Sequence, residues 1–149
     1  MIETPRLRLI PWPRSALDLQ ALGHELGVAV PEGWRPDVTD ILPAPPPPFG
    51  PYAVVAGEEL VGSAGFFGPP DESGTVEIGY EVAPDKRRQG YASETAAALV
   101  SWALARNDVR RVIAAPLPDN VPSQRVLEKA GFRPIGRRRD ELLFEISRA

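Results

Sequence analysis

Seven consecutive residues, Lys86-Arg87-Arg88-Gln89-Gly90-Tyr91-Ala92, carry the densest chemistry in the chain. They join a strand-like stretch ending at Val82 to a long helical one. Pro84 stops the strand, and Gly90 lets the backbone turn sharply and approach a ligand closely. Three cations stand just ahead of a helix start, where the first amide N–H groups have no partner inside the helix. Together they form a physical site for an anion, best matched to a phosphate. One such helix-end interaction contributes only about 0.3–1 kcal/mol, so several donors must converge to hold a ligand. The plainer alternative is a basic loop that only caps and solvates. Neither G-x-x-x-x-G-K-[ST] nor G-x-G-x-x-G occurs, which excludes the P-loop and the dinucleotide fingerprint.

A second group of residues could move protons. The stretch Thr75–Val82 alternates, with Val76, Ile78, Tyr80 and Val82 on one face and Thr75, Glu77, Gly79 and Glu81 on the other. Glu77 and Glu81 therefore share a face from which a carboxylate can take a ligand's proton, directly or through water. The bland reading of either is an exposed strand carboxylate. Farther on, Asn120 and Ser123 stand where another helix opens. The chain has no cysteine and one histidine, His24, which excludes disulfides, a cysteine nucleophile and metal sites built from several His or Cys ligands. No metal is expected, and a Ser-His-Asp triad would have to use His24.

The elements that must position these groups follow from the pattern. At 149 residues, 43% hydrophobic and 25% charged, the chain is expected to be one domain, 1–149, with a real core. Strands are expected at Arg6–Ile10, at Tyr52–Ala56 and Leu60–Phe67 around the hairpin signal Gly57-Glu58-Glu59, and at Thr75–Val82, Arg111–Leu117, Phe132–Arg138 and Glu141–Ser147. Helices are expected from Ser15 as N-cap to Leu26, from Ala92 to Arg106, and from Val121 to Ala130 with Gly131 ending it. The result is a mixed α+β or α/β protein, a central sheet with helices packed on it. The segment 27–51 is irregular, and its proline run from Pro43 to Pro51 can be neither helix nor central strand. That run reads as a stiff surface loop, or else as a PxxP peptide for an adaptor.

Charge divides along the chain. Residues 1–85 carry four Lys or Arg against 13 carboxylates, and residues 86–149 carry 13 against seven. One half is thus suited to an anion and the other to a cation. Arg137, Arg138 and Arg139 form a basic cluster, but a pI near 5.2 and the lack of interleaved aromatics argue for a solvated strand edge, not a nucleic-acid surface. The first residues show no basic stretch before an apolar run, and no apolar run approaches a bilayer span. The expectation is a soluble, cytoplasmic protein with no membrane and no nucleic-acid partner.

Arg87-Arg88-Gln89-Gly90-Tyr91-Ala92 is an instance of [Q/R]-x-x-G-x-[G/A], and it resembles the acetyl-CoA-binding signature of the GNAT acetyltransferases. The run from Asn120 to Phe132 is similar to the N-x-x-S-x-x-v-l-e-K-x-G-F element of the branch containing ribosomal-protein N-acetyltransferases. Glu77-Ile78-Gly79-Tyr80 and Glu3-Thr4-Pro5-Arg6-Leu7-Arg8-Leu9 also resemble that branch. The resemblance covers residues 3–10 and 60–147. It implies the GNAT acyl-CoA N-acyltransferase fold, a mixed, mostly antiparallel sheet of six to seven strands flanked by helices. It further implies acetyl-CoA as co-substrate, with its diphosphate on the amides of Arg88, Gln89, Gly90, Tyr91 and Ala92 and on the Arg87 and Arg88 side chains. The pantetheine arm would pair with the backbone near Val82, whose N–H would face the thioester oxygen. Asn120 would hold the arm or brace the strands.

The activity implied is acetyl transfer to a primary amine, a protein N-terminus or a small cationic amine, by direct attack. Glu77 is preferred to Glu81 as the base. Many family members carry a tyrosine acid where this chain has Leu127, which cannot donate a proton. Ser123 would then serve as the acid, or the thiolate leaves unprotonated. Ser123 is equally readable as an ordinary first-turn residue. The resemblance leaves room for a homodimer. The alternative is a non-catalytic acyl-CoA-binding or regulatory domain of the same fold.

Overall fold

The computed structural model describes residues 1–148. The strand expected at Arg6–Ile10 is β2 (Arg8–Pro11), and an unexpected short strand, β1 (Ile2–Glu3), precedes it across a turn closed by Thr4, whose N–H donates to the Leu7 carbonyl at 2.9 Å. Helix α1 (Leu19–Leu26) starts later than its apolar pattern suggests. Asp18, not Ser15, is the N-cap: its side chain accepts from the Ala21 N–H at 2.8 Å. Ser15 instead donates to Glu25. Two strands, β3 (Pro51–Ala56) and β4 (Glu59–Phe66), form the expected hairpin, and β5 (Thr75–Val82) pairs with β4. Then follow α2 (Tyr91–Leu104), β6 (Arg111–Ala114), α3 (Val121–Lys129), β7 (Arg133–Arg138) and β8 (Glu141–Ser147).

All eight strands form one sheet in the order β1-β2-β3-β4-β5-β6-β8-β7. It exceeds the expected six to seven because β1, ahead of the expected first strand, folds back to pair with β2. Every pairing is antiparallel except β5 with β6, which is parallel and short: Thr75, Val76 and Glu77 pair with Arg111, Val112 and Ile113, and there it stops. Beyond Glu77, β5 runs on alone along that edge.

The sheet buries both faces. Val54, Val61, Val76, Ile78, Leu99, Val112, Leu127 and Phe144 belong to one core, beneath α2 and α3. Trp12, Leu22, Trp34, Ala53, Val55 and Leu60 belong to the other, beneath α1. Alternation along β3, with Val54 in one core and Ala53 and Val55 in the other, is the period-two pattern that assigns each strand residue its side. The segment between α1 and β3 links the two layers. Trp34 is buried beneath α1, a 3-10 turn spans Asp37–Ile41, and Phe49 packs edge-on against Phe66 and Trp102 at 5.6 and 5.5 Å. The proline run is therefore anchored: Ala44, Phe49 and Gly50 are buried, and the Tyr52 hydroxyl donates to the Pro48 carbonyl at 2.7 Å.

Candidate functional site

The turn between β5 and α2 has an unusual backbone. Arg88 (φ 64°) and Gly90 (φ 82°) both lie in the left-handed region, separated by Gln89. Gly90 is the N-cap of α2 and no side chain caps that helix. Its opening amides therefore lack a side-chain cap, as an anion-binding turn requires. Gly90 is needed here for its left-handed φ. A Cβ on it would also come within 3.1 Å of an Arg6 side-chain nitrogen. Arg87 and Arg88 are exposed around this turn. Arg87 lies back along the strand, its Nε donating to the Val82 carbonyl at 3.2 Å.

The turn is braced by residues far away in sequence. Thr4 donates to the Glu94 carboxylate, and the Arg6 backbone N–H and Nε donate to the same group at 3.0 and 2.7 Å. Arg6 Nη1 donates to the Gln89 carbonyl at 2.8 Å, and the guanidinium lies 4.7 Å from the centre of the Tyr91 ring. Burial alone would raise the Glu94 carboxyl, but the hydrogen bonds from Thr4 and Arg6 outweigh it and hold it below the ordinary carboxylate range. The β1–β2 turn thus clamps the start of α2. In the sequence Thr4 stands out only as part of a resembling stretch, Arg6 only there and at the start of an expected strand, and Glu94 has no assigned role. The signal available was the four-residue offset between Gly90 and Glu94, which puts Glu94 one turn in.

Beside this turn the edge of β5 is open. Successive residues of a strand point their N–H and C=O to opposite edges. The Ala83 N–H donates to the Val61 carbonyl, and the Glu77 carbonyl accepts from the Phe67 N–H, so residues 77, 79, 81 and 83 address β4. Tyr80 and Val82 address the other edge, beyond the last β5–β6 pair. No strand pairs with their backbone groups there, and apart from the Val82 carbonyl, which accepts from Arg87 Nε, these can receive an extended chain as an added strand.

Tyr80 and Glu81 hold opposite sides of this opening. The Tyr80 hydroxyl crosses to α3, 2.9 Å from Ser123 Oγ and 3.3 Å from the Ser123 carbonyl. Burial pushes the Tyr80 phenol up from its usual value, and its bond with Ser123 only partly opposes this, so it stays neutral through physiological pH. Asn120 is the N-cap of α3, accepting from the Ser123 N–H at 3.2 Å. Leu127, one turn on from Ser123, is fully buried.

On the other face, Glu81 lines a cavity of about 240 Å³ with Asp37, Val38, Ile41, Ser63 and Phe67 among its walls. Its carboxylate accepts from Trp34 Nε1 at 3.2 Å and the Asp37 N–H at 3.0 Å, both neutral donors. Phe67, 70% exposed, lies over Gly79: a Cβ there would stand 3.0 Å from its ring. Glu77 is placed differently. Both of its oxygens are held by the Arg138 guanidinium, at 2.8 and 2.9 Å, and it is not among the cavity-lining residues. The structure thus ties the turn 87–92 to Val82 through Arg87, and joins Ser123 and its cap Asn120 to the same strand through Tyr80. It sets Glu77 apart in an ion pair, places the second candidate Glu81 on the cavity, and adds Tyr80 and Phe67. His24 is exposed on α1.

Among the described residues, no three His, Asp or Glu side chains gather as a metal site, and no helix is long and apolar enough to cross a membrane.

Comparison with known proteins bears on this arrangement. The family model described as an acetyltransferase (GNAT) domain matches residues 6–133. The uncharacterised N-acetyltransferase YjdG of Bacillus subtilis (strain 168) is 49% identical over 74 residues, 50% of this chain and 44% of YjdG. The chain spans about half, or less, of the length of the curated relatives it matches. Among solved structures, Mycobacterium smegmatis RimJ in complex with CoA-disulfide is 27% identical, with a TM-score of 0.60 over 66% of this chain and 52% of that one. A Vibrio cholerae chain provisionally named a ribosomal-protein-serine acetyltransferase is 17% identical and shares the fold, with a TM-score of 0.72 over 99% of this chain and 97% of its own.

Proposed function

The chain belongs to the acetyltransferase (GNAT) family, and on that footing we propose that it transfers acetyl from acetyl-CoA to a primary amine by direct attack. Acetyl-CoA supplies an activated thioester at one end and a diphosphate near the other. The residues present fit both: a left-handed, uncapped turn with two exposed arginines suits the diphosphate, and an unpaired strand edge suits the arm between. In this reading the amides of Arg88 to Ala92 hold the phosphates, and Arg87 and Arg88 add charge-assisted bonds. The backbone of Tyr80 and Val82 pairs with the arm. The Val82 N–H donates to the thioester oxygen, where negative charge grows during attack. Asn120 keeps the start of α3, and with it Ser123, against the opening.

The amine acceptor enters from the Glu81 face. Glu81 takes the ammonium proton, directly or through water, leaving the nitrogen lone pair free to attack. Glu81 is favoured over Glu77 because it lines the cavity and meets only neutral donors, whereas Glu77 would have to act against a bidentate guanidinium. Asp37 and Glu81 favour a cation, and Phe67 and Ile41 favour an apolar stem beside it. A protein N-terminus, a polyamine and an aminoglycoside all meet that description, the first by resemblance.

The observation that carries the proposal is the gap between β5 and β6. It opens one face toward Ser123 and the other toward Glu81, on adjacent residues of a single strand. A thermal-shift titration with acetyl-CoA tests the first half. A panel of peptide α-amines, spermidine and an aminoglycoside, read by free-thiol release, tests the second. Stabilisation with amine-dependent thiol release is expected. Stabilisation without release from any amine favours the binding-domain alternative, and no stabilisation by acetyl-CoA overturns the proposal.

A further inference from the structure

We infer that Tyr80 is a positioning residue for acetyl transfer, holding the Ser123 hydroxyl so that its proton points at the departing sulfur. The inference rests on the acetyl-transfer reading above and extends it to a residue whose pattern marks it only as core.

Three features of the structure lead to this. First, Tyr80 lies three residues past the last β5–β6 pair, so its side chain bridges the opening and does not pack beneath a continuous sheet. Second, the Ser123 backbone N–H is already taken by Asn120, which leaves the hydroxyl as the one Ser123 donor available to the opening. Third, the two hydroxyls are 2.9 Å apart with one proton each. A phenol is the stronger acid of the pair, and the serine Oγ lies nearer to it than the Ser123 carbonyl, 2.9 against 3.3 Å, so Tyr80 donates to the hydroxyl and Ser123 accepts. That leaves the serine proton free, and the bond it receives polarises it further.

Leu127, the residue one turn along α3, is fully buried and apolar, so the helix brings no other hydroxyl to this point. The atoms balance without Tyr80 ever ionising. The amine nitrogen forms its bond to the acetyl carbon while the carbon–sulfur bond breaks. The electron pair goes to sulfur; Glu81, having passed the ammonium proton on to water, takes the second proton that the nitrogen sheds as the amide forms and passes it to water in turn. The sulfur leaves as a thiolate accepting a hydrogen bond from Ser123, and it takes a proton from solvent afterwards. Tyr80 sharpens that bond and keeps it aimed.

The test is a double-mutant cycle on the full chain, with acetyl-CoA and whichever of spermidine or a peptide α-amine the wild type turns over faster. Ser123→Ala should lower kcat about 10- to 100-fold, the worth of one hydrogen bond to a charged group. Tyr80→Phe, which keeps the ring, should lower kcat by about tenfold with KM for acetyl-CoA unchanged. The double variant should fall within about twofold of Ser123→Ala alone, because Tyr80 acts only through that serine. Additive losses, or no loss from Tyr80→Phe, overturn the inference.

Should Tyr80→Phe not fold, 3-fluorotyrosine at position 80 takes its place. This more acidic phenol should change kcat when Ser123 is present and leave it unchanged when Ser123 is alanine. An equal change in both backgrounds refutes the role. A wild type that releases no thiol with any amine removes the acetyl-transfer reading and this inference together. A working wild type with an additive cycle removes only this one.

Discussion

The two sides of the opening are built by different means. On the α2–α3 side, the backbone does the work: two left-handed residues, an uncapped helix start and an unpaired strand edge. On the Glu81 side, the wall comes from side chains supplied by a 3-10 turn, from Phe67 after β4, and from Glu81 itself, hung from Trp34 and Asp37. A ligand common to a whole family can be met by main-chain geometry that tolerates sequence drift. An acceptor that varies is met by side chains on an irregular segment that is free to change.

Substitutions can break this division of labour or sharpen it. The largest effect should come from Glu81→Gln, with kcat falling by about 100-fold or more and KM for acetyl-CoA unmoved. Glu77→Gln should leave kcat within about twofold. It should lower stability by up to about 1 kcal/mol through loss of the Arg138 pair, read from denaturant titration. A reversed ranking of the two would return the base to Glu77.

On the backbone side, Gly90→Val forces a β-branched residue into a left-handed φ at a cost of about 1–2 kcal/mol, and should raise KM for acetyl-CoA about tenfold. Acetyl-pantetheine, which lacks the diphosphate, should be used by this variant as well as by the wild type. Loss with both donors would mean the turn holds the fold and not the phosphates.

The clamp should show a smaller effect of the same kind. Glu94→Gln should raise KM for acetyl-CoA about fivefold, again only for the donor that carries the diphosphate. It also has a pH signature. The Glu94 carboxyl sits below its ordinary value when folded, so its contribution to stability is present above about pH 4.3 and is lost as pH falls through the lower folded value. The gap in thermal midpoint between wild type and Glu94→Gln should therefore close on acidification, measured by calorimetry from pH 7 to pH 3. Smallest of all, Phe67→Ala should raise KM for the amine about threefold and leave KM for acetyl-CoA unchanged.

Legibility in the sequence followed the same division. The β5–α2 junction could be read because proline, basic residues and glycine at fixed spacing have few structural alternatives, and α3 because a capping asparagine and a closing glycine bracket it. The alternation of β5 put Glu77 and Glu81 on one face but could not rank them. The resemblance prefers Glu77; the proposal that puts Glu81 first turns on Arg138, 61 residues from Glu77, whose pairing is a matter of sheet order. Tyr80 was legible as a core residue because it stands in phase with Val76 and Ile78. That the sheet ends beside it depends on how far β6 extends in register, which local pattern does not encode. The strand expected to run from Arg111 to Leu117 stops at Ala114, just before Pro116 and Pro118, and that early stop is what leaves the gap. The start of α1 moved from Ser15 to Asp18 because two capping residues compete and tertiary contacts decide: Ser15 is drawn to Glu25.

At the far end of the sheet, every residue of β7 is exposed. The register slips between Pro134 and Gly136, Pro134 has no amide to offer, and Arg133, Arg137 and Arg138 line the strand. Such a border is a poor template for a ninth strand from another molecule. Growth of the sheet into a polymer by edge-to-edge pairing is disfavoured there.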